Sequence, residues 1–342
     1  MTSQTHMQRE ILEIPSVVET LLSREQTNMQ AAARMLEERD PAYLISVARG
    51  SSDHAATFFK YAAELTAGVP VASVGPSIAS IYEKKLKLQG AACLAVSQSG
   101  KSPDIVRMAE MAGEAGALTF AMTNHADSDL ANVSNHTLNL QAGAELSVAA
   151  TKTFVTSVVS ALWLLAEWQR DAALLAAIHK LPQALEKAVI LDWSALGEQI
   201  ASQSSLFCLG RGTTLAMSNE AALKFKETCQ LHAESYSSAE VLHGPVSIVD
   251  QGFPVIALAA ADQAEQALVD VADQIADKGA MVFATSDKVR RASRLPVAAT
   301  AHPLTDPISL ISSFYALVEQ VAVSRGVNPD EPRHLKKVTE TV

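Results

Sequence analysis

Ser97, Gln98, Ser99, Gly100 and Ser102 place three hydroxyls and a glycine within a short run. The run follows the apolar residues 91–96 and precedes the amphipathic residues 105–109, so it reads as a strand, a tight turn and a helix start. A helix start presents unpaired N–H groups and the positive end of the helix dipole, and the glycine lets the backbone approach a ligand closely. That chemistry suits a sugar phosphate monoester. Serines at a helix start also act as plain N-caps, so this stretch alone leaves both readings open.

A second group is Glu220, Lys224 and Glu227, whose spacing puts all three on one face of a helix. A carboxylate beside a lysine in a closed site is suited to moving a carbon-bound proton between adjacent carbons. The competing reading is a solvated ion-pair stripe. Leu223, Phe225 and Cys229 oppose it, because they make the helix largely apolar. His243 precedes Gly244-Pro245, which would fix a rigid loop around either a structural or a catalytic imidazole. His232 and Glu234 are candidate supports. Lys337 lies in the tail 329–339, which reads either as a frayed end or as a lid stiffened by Pro329 and Pro332.

The elements that must hold these groups alternate. Residues 7–38 read as helical with a break at Pro15, and 43–48 as a strand before the turn Arg49-Gly50-Ser51-Ser52. Helices are expected over 53–67 and 78–87, and strands over 69–74, 91–96, 118–122 and 134–140. Short apolar runs alternating with helices imply an α/β fold with a parallel sheet covered on both faces.

The second half repeats the first. Gly50 and Gly212 stand 162 positions apart (212 − 50), and the same offset carries 93–96 onto 255–258 and 119–122 onto 281–284. The copies differ at the cradle, where Ser97-Gln98-Ser99-Gly100 becomes Ala259-Ala260-Ala261-Asp262. One half would bind and the other supply the chemistry. The division expected is an N-terminal helical segment (1–40), a phosphate-binding subdomain (41–168), a linker helix (169–194), a catalytic subdomain (195–326) and a tail or lid (327–342).

With 342 residues, 48% hydrophobic and 19% charged, the chain has ample core for two domains. A formal net charge of −10 argues against nucleic acid or an anionic membrane as partner. Three distant cysteines show no metal-ligand spacing and fit reduced thiols, and residues 1–10 lack a signal-peptide apolar core, so a cytoplasmic location is expected. The longest apolar tract, 154–166, is too short to span a bilayer and reads as a buried or oligomer-interface helix.

Six ordered landmarks then carry a resemblance: Ser97-Gln98-Ser99-Gly100; Ala149-Ala150-Thr151-Lys152-Thr153-Phe154; Ala222-Leu223-Lys224-Phe225-Lys226-Glu227; His232-Ala233-Glu234-Ser235-Tyr236; His243-Gly244-Pro245; and Pro332-Arg333-His334-Leu335-Lys336-Lys337. Together they resemble the sugar isomerase (SIS) family, in particular the isomerase half of glutamine-dependent glucosamine-6-phosphate synthase, over nearly the whole chain. Nothing here corresponds to the synthase's glutaminase domain, and the tail after Lys337 is one residue shorter.

The resemblance implies two tandem SIS subdomains, each a parallel five-stranded sheet flanked by helices. It implies that Ser52, Ser97, Ser99 and Ser102 hold the phosphate, with Ser51, Gln98 and the Val148 backbone near the sugar hydroxyls. Glu227 would shuttle a proton between C1 and C2, and His243, reaching from a second subunit of a homodimer with a shared site, would open the ring. Lys224 would polarise the enediol-like intermediate, Lys337 would assist at the ring or amine end, and Glu220 would support them. With no glutaminase, the expected direction is deamination of glucosamine 6-phosphate to fructose 6-phosphate and ammonia, with no metal or redox cofactor. A fructosamine-6-phosphate deglycase and a non-catalytic sugar-phosphate sensor are the alternatives.

Overall fold

The computed structural model describes residues 4–337. It divides into two compact units, one built from residues 16–145 and 152–179, the other from 4–15, 146–151 and 180–337. They are called here the N-terminal and C-terminal units.

The N-terminal unit contains β1 (Leu44–Val47), β2 (Val71–Ser73), β3 (Ala92–Val96), β4 (Leu118–Thr123) and β5 (His136–Asn139). They form one parallel sheet in the order β2-β1-β3-β4-β5. Every residue of β1 and β3 is buried, as strands covered on both faces require. The helix Lys152–Trp168 is apolar all round because it is core: residues 152–166 are buried, packed on the helices Gln26–Arg39 and Ser51–Thr66. Its hydrophobicity therefore calls for no second subunit, which removes one of the two grounds for expecting a homodimer.

The C-terminal unit contains β6 (Ser205–Gly210), β7 (His232–Ser237), β8 (Pro254–Ala257), β9 (Met281–Ala284) and β10 (Ser293–Arg294). Its parallel order, β10-β9-β8-β6-β7, is that of the first sheet read from the other edge. Pairing of Val47 with Ala95 recurs as Leu209 with Ala257, displaced by 162 (209 − 47 and 257 − 95). The next strand breaks that offset. Ala92 pairs with Leu118 but Pro254 pairs with Met281, a displacement of 163 for the second partner (281 − 118). The expected alignment of Thr119 with Met281 is thus one residue off, and in a strand a one-residue slip exchanges the two faces.

The added residue lies in the turn before β9. Gly116 and Gly279 hold the same left-handed turn in the two copies, at φ of 91° and 93°, and a Cβ on either would strike the Gln89 or Gln251 side chain. Ala115 alone separates Gly116 from the helix Pro103–Glu114, whereas Asp277 and Lys278 follow the helix Glu265–Ala276.

Two helical expectations need correction. The helix divides beside Pro15 as expected, at Glu13, with Pro15 the second residue of Ile14–Arg24 where its missing N–H does no harm, but a further break that was not expected falls at Glu25. The helix expected over 78–87 is only Ser77–Ser80. Glu83 turns left-handed at φ 48° and the Lys84 N–H closes back on the Ile78 carbonyl, which ends the helix before its lysines. The helix Asp306–Ser324 is long and apolar enough to cross a membrane by length and composition, but most of it is buried in the core of its own unit.

Candidate functional site

In the N-terminal unit the chain leaves β1 toward β2 on one side and later enters β3 on the other. Brackets of this kind open a crevice outside the carboxyl ends of the two strands, where ligands of open α/β sheets bind. Two helices start there. Ser51–Thr66 follows β1 through Gly50, whose φ of 55° suits glycine, and Pro103–Glu114 follows β3.

The loop between β3 and its helix is held by its carbonyls. Gln98 O accepts from Asn124 N (3.1 Å) and Thr123 Oγ1 (3.3 Å), and Gly100 O accepts from Leu130 N (3.0 Å). With those oxygens turned into the unit, the Ser99 N–H of the first peptide is directed the opposite way, while the Lys101 N–H of the second donates within the loop to Ser99 Oγ. Gly100 is required twice over. Its φ is +63°, and a Cβ there would lie 2.1 Å from Ser128 Oγ.

Ser102 occupies the N-cap position, yet its side chain makes no capping hydrogen bond. This answers the N-capping alternative for Ser102: its hydroxyl is not spent on the helix. Among the described residues the hydroxyls of Ser52 and Ser97 also have no protein partner, although Ser97 is buried, while Ser99 Oγ accepts from Lys101 N at 3.3 Å. Arg49, at the end of β1, clamps the crevice. Its Nε and Nη2 lie 2.7 and 2.6 Å from Oδ2 of Asp104, a fully buried residue in the first turn of the helix after β3. The guanidinium is half exposed and supplies positive charge beside the loop.

The equivalent loop of the C-terminal unit is filled by its own carboxylates. Asp306 Oδ2 accepts from Ala261 N (3.1 Å), and Asp262 Oδ1 accepts from Ala264 N (2.8 Å). Burial holds the Asp262 carboxyl above the ordinary aspartate range.

The C-terminal unit carries its ionisable groups on the helix Thr214–Cys229 instead. At 1.5 Å per residue, Glu220, Lys224 and Glu227 lie about 9, 15 and 20 Å down that helix from its start, well away from the carboxyl end of the sheet. Lys224 Nζ is 3.3 Å from Glu220 Oε1 and 2.5 Å from Glu227 Oε2, and Tyr315 Oη donates to Glu220 Oε1 at 3.0 Å. The lysine and Glu220 side chains are 1% and 0% exposed and that of Glu227 is 22% exposed, so this is no solvated stripe. Burial pulls the Lys224 ammonium toward neutrality, but the charges of Glu220 and Glu227 outweigh it and hold its pKa above the usual lysine value. The cluster is therefore a charged lysine between two carboxylates, one sealed and one with an open edge.

Lys337 also has a defined place. Its Nζ donates to Ser147 O at 2.7 Å, and the adjacent Val148 N–H donates to Asp330 O at 3.3 Å. His243 ends a short 3-10 turn (Glu240–His243), is exposed, and makes no side-chain hydrogen bond among the described residues. His232 and Glu234 are not hydrogen-bonded to the cluster: His232 Nδ1 meets Ser205 Oγ at 3.0 Å, and Glu234 accepts from Tyr236 Oη at 2.7 Å.

The sequence reading missed Arg49, Asp104, Tyr315 and Glu10 as functional candidates. Glu10 was detectable, because it shares with Met7 and Ile11 the buried face of the helix His6–Leu12, a place where a carboxylate needs a reason.

The SIS domain profile matches residues 23–167 and 199–324. The chain belongs to the SIS domain family. It is 31% identical over 344 aligned residues to the glutamine–fructose-6-phosphate aminotransferase (isomerizing) of Sulfurisphaera tokodaii, covering 97% of this chain and 56% of that protein. The chain thus spans about half the length of the curated relatives it matches. Among solved structures, a protein of Silicibacter pomeroyi described as a phosphosugar isomerase is 59% identical, with a TM-score of 0.93 over 96% of this chain and all of that one. The glucosamine-6-phosphate deaminase of Thermotoga maritima shares the fold at 18% identity, with a TM-score of 0.77 over 98% of this chain and 100% of that one.

Proposed function

We propose that this protein is a phosphosugar isomerase whose reaction is the deamination of glucosamine 6-phosphate to fructose 6-phosphate and ammonia. The observation that carries the reading is the buried Glu220–Lys224–Glu227 cluster, with one carboxylate edge left accessible. A charged lysine that can donate and a carboxylate that can accept are the two groups that an aldose–ketose proton transfer needs. Relatedness to an isomerizing aminotransferase and to a described phosphosugar isomerase supports the substrate class.

In this reading the phosphate rests on Ser52, Ser97, Ser99 and Ser102, with Ser51, Gln98 and the Val148 carbonyl toward the sugar hydroxyls. His243, supplied by a neighbouring subunit of a homodimer, opens the ring by moving a proton between O1 and O5. Glu227 takes the C2 proton of the open-chain aldehyde, and the C2 electron pair forms the C1–C2 double bond as Lys224 gives a proton to the oxygen on C1. Glu227 returns the proton to C1 as the nitrogen lone pair forms the C2=N bond, and the nitrogen gives one proton back to Lys224, leaving a C2 imine. Water adds to C2 and ammonia leaves, with Lys337 near the amine end. Each step balances with water as the only co-reactant. The residues named suffice to handle every proton, and a cytoplasmic setting fits such a metabolite.

The test is incubation of the protein with glucosamine 6-phosphate, galactosamine 6-phosphate and fructosyl-amine 6-phosphates, scoring ammonia or amine released. Ammonia and fructose 6-phosphate from glucosamine 6-phosphate are expected, with Glu227→Gln inactive but still binding the sugar phosphate. Release only from fructosyl-amine phosphates would assign a deglycase, and binding of all of them without turnover would assign a sensor.

A further inference from the structure

Residues 146–148 in the C-terminal unit are held by side chains whose expense in burial is not explained by packing. Glu10 is 4% exposed on the apolar face of the helix His6–Leu12, where a leucine would pack without desolvating a charge. Its carboxylate instead accepts from Leu146 N and Ser147 N, the latter at 3.3 Å to both oxygens. The third consecutive N–H, that of Val148, goes to the Asp330 carbonyl at 3.3 Å. Asp330 also fixes the helix that carries Glu10, because its carboxylate accepts from His6 N and Met7 N, both at 2.7 Å. With its N–H groups so directed, this stretch offers the Ser147 carbonyl to Lys337 Nζ at 2.7 Å.

We infer that Glu10, assisted by Asp330, is a positioning residue that acts through residues 146–148 to hold Lys337 in place for the reaction. The inference rests on the proposed deamination for its catalytic meaning, while the clasp itself is independent of that reading. Charge-assisted hydrogen bonds from Glu10 fix the 145–146 and 146–147 peptides and so the position of the Ser147 Cα, while the next peptide, which carries the lysine's anchor oxygen, is oriented by its Val148 N–H on the Asp330 carbonyl. Without the Glu10 carboxylate the two preceding peptides can shift and carry the Ser147 carbonyl away from Lys337 Nζ, while Glu220, Lys224 and Glu227 are untouched.

The test uses the full chain with Glu10→Gln, which keeps the side-chain shape but removes the charge, and Glu10→Asp as a second variant should the first fold poorly. Amide hydrogen exchange is read at Leu146 and Ser147, and acylation of Lys337 by a small amine-reactive reagent is read by mass spectrometry. Exchange at both amides is expected to quicken about 10-fold or more, with faster acylation of Lys337 and unchanged acylation of Lys60. In turnover of glucosamine 6-phosphate, Glu10→Gln should lower kcat/KM about 10-fold in the wild-type background but less than about 2-fold in a Lys337→Met background, because the two residues act as one unit. Unchanged exchange at Leu146 and Ser147 overturns the clasp. Quickened exchange with an equal loss in both backgrounds overturns its action through Lys337. If the wild-type chain releases no ammonia, the reaction falls, and exchange and acylation alone decide the clasp.

Discussion

Replacing Lys224 with Met probes the buried charge cluster most sharply. The ammonium sits between a fully sealed Glu220 and a partly open Glu227, at 3.3 and 2.5 Å. Removing one partner of a buried ion pair leaves an uncompensated charge and costs about 3–5 kcal/mol. At about 2–4 °C per kcal/mol for a domain of this size, the melting midpoint should fall by roughly 6–20 °C. The double variant Glu220→Met, Lys224→Met removes the stranded carboxylate as well, and apolar replacement of a buried pair is close to neutral or stabilising. Its stability should return to within about 1 kcal/mol of wild type, while turnover stays absent.

Urea unfolding followed by circular dichroism reads both quantities. The loss in the single variant should hold constant from about pH 6 to pH 9. Because the folded pKa of Lys224 is raised, its contribution is complete below the unfolded value of about 10.4 and lost only as pH climbs through the folded value above it. A Lys224→Met protein as stable as wild type, or a double variant no better than the single, would refute a buried ion-pair cluster.

Other substitutions test the remaining parts. Gly100→Ala drives a Cβ against Ser128 at a left-handed φ, so it should destabilise the N-terminal unit by about 1–3 kcal/mol and weaken fructose 6-phosphate binding in calorimetry; unaltered affinity would remove this loop from the phosphate site. Arg49→Met leaves the buried Asp104 without its guanidinium and should lower stability by about 1.5–3 kcal/mol in urea unfolding. Burial raises the Glu319 carboxyl, so the folded state binds that proton more tightly and stability falls as pH rises from the unfolded pKa through the folded one. Glu319→Gln should therefore flatten stability over that acid-to-neutral window, and an unchanged pH slope would exclude Glu319 as its source.

The duplicated α/β plan was legible because fully buried strands write themselves as short apolar runs and because a constant offset survives divergence. The single-residue slip before β9 was not, since the two turns keep the same glycine and only the pairing of Pro254 with Met281 reveals it. The Ser97–Ser102 loop and the Glu220–Lys224–Glu227 spacing are local patterns, so the sequence displayed them directly. Arg49–Asp104, Tyr315–Glu220 and Glu10–Ser147 join residues 55, 95 and 137 positions apart, and no local pattern encodes such partners. The helix expected over 78–87 failed because its backbone closes left-handed at Glu83, a residue type that gives no warning of that conformation.

Turnover of glucosamine 6-phosphate in deuterium oxide bears most directly on the proposed proton transfer. The predicted result is ammonia released in step with fructose 6-phosphate whose new C1 hydrogen is the one removed from C2, replaced by deuterium only to the extent that the Glu227 carboxyl exchanges with solvent before returning it. Neither product is expected from Glu227→Gln protein that still binds the sugar phosphate. Tight binding of glucosamine 6-phosphate by the wild-type chain, with its C2 hydrogen unexchanged and no ammonia formed, would contradict it.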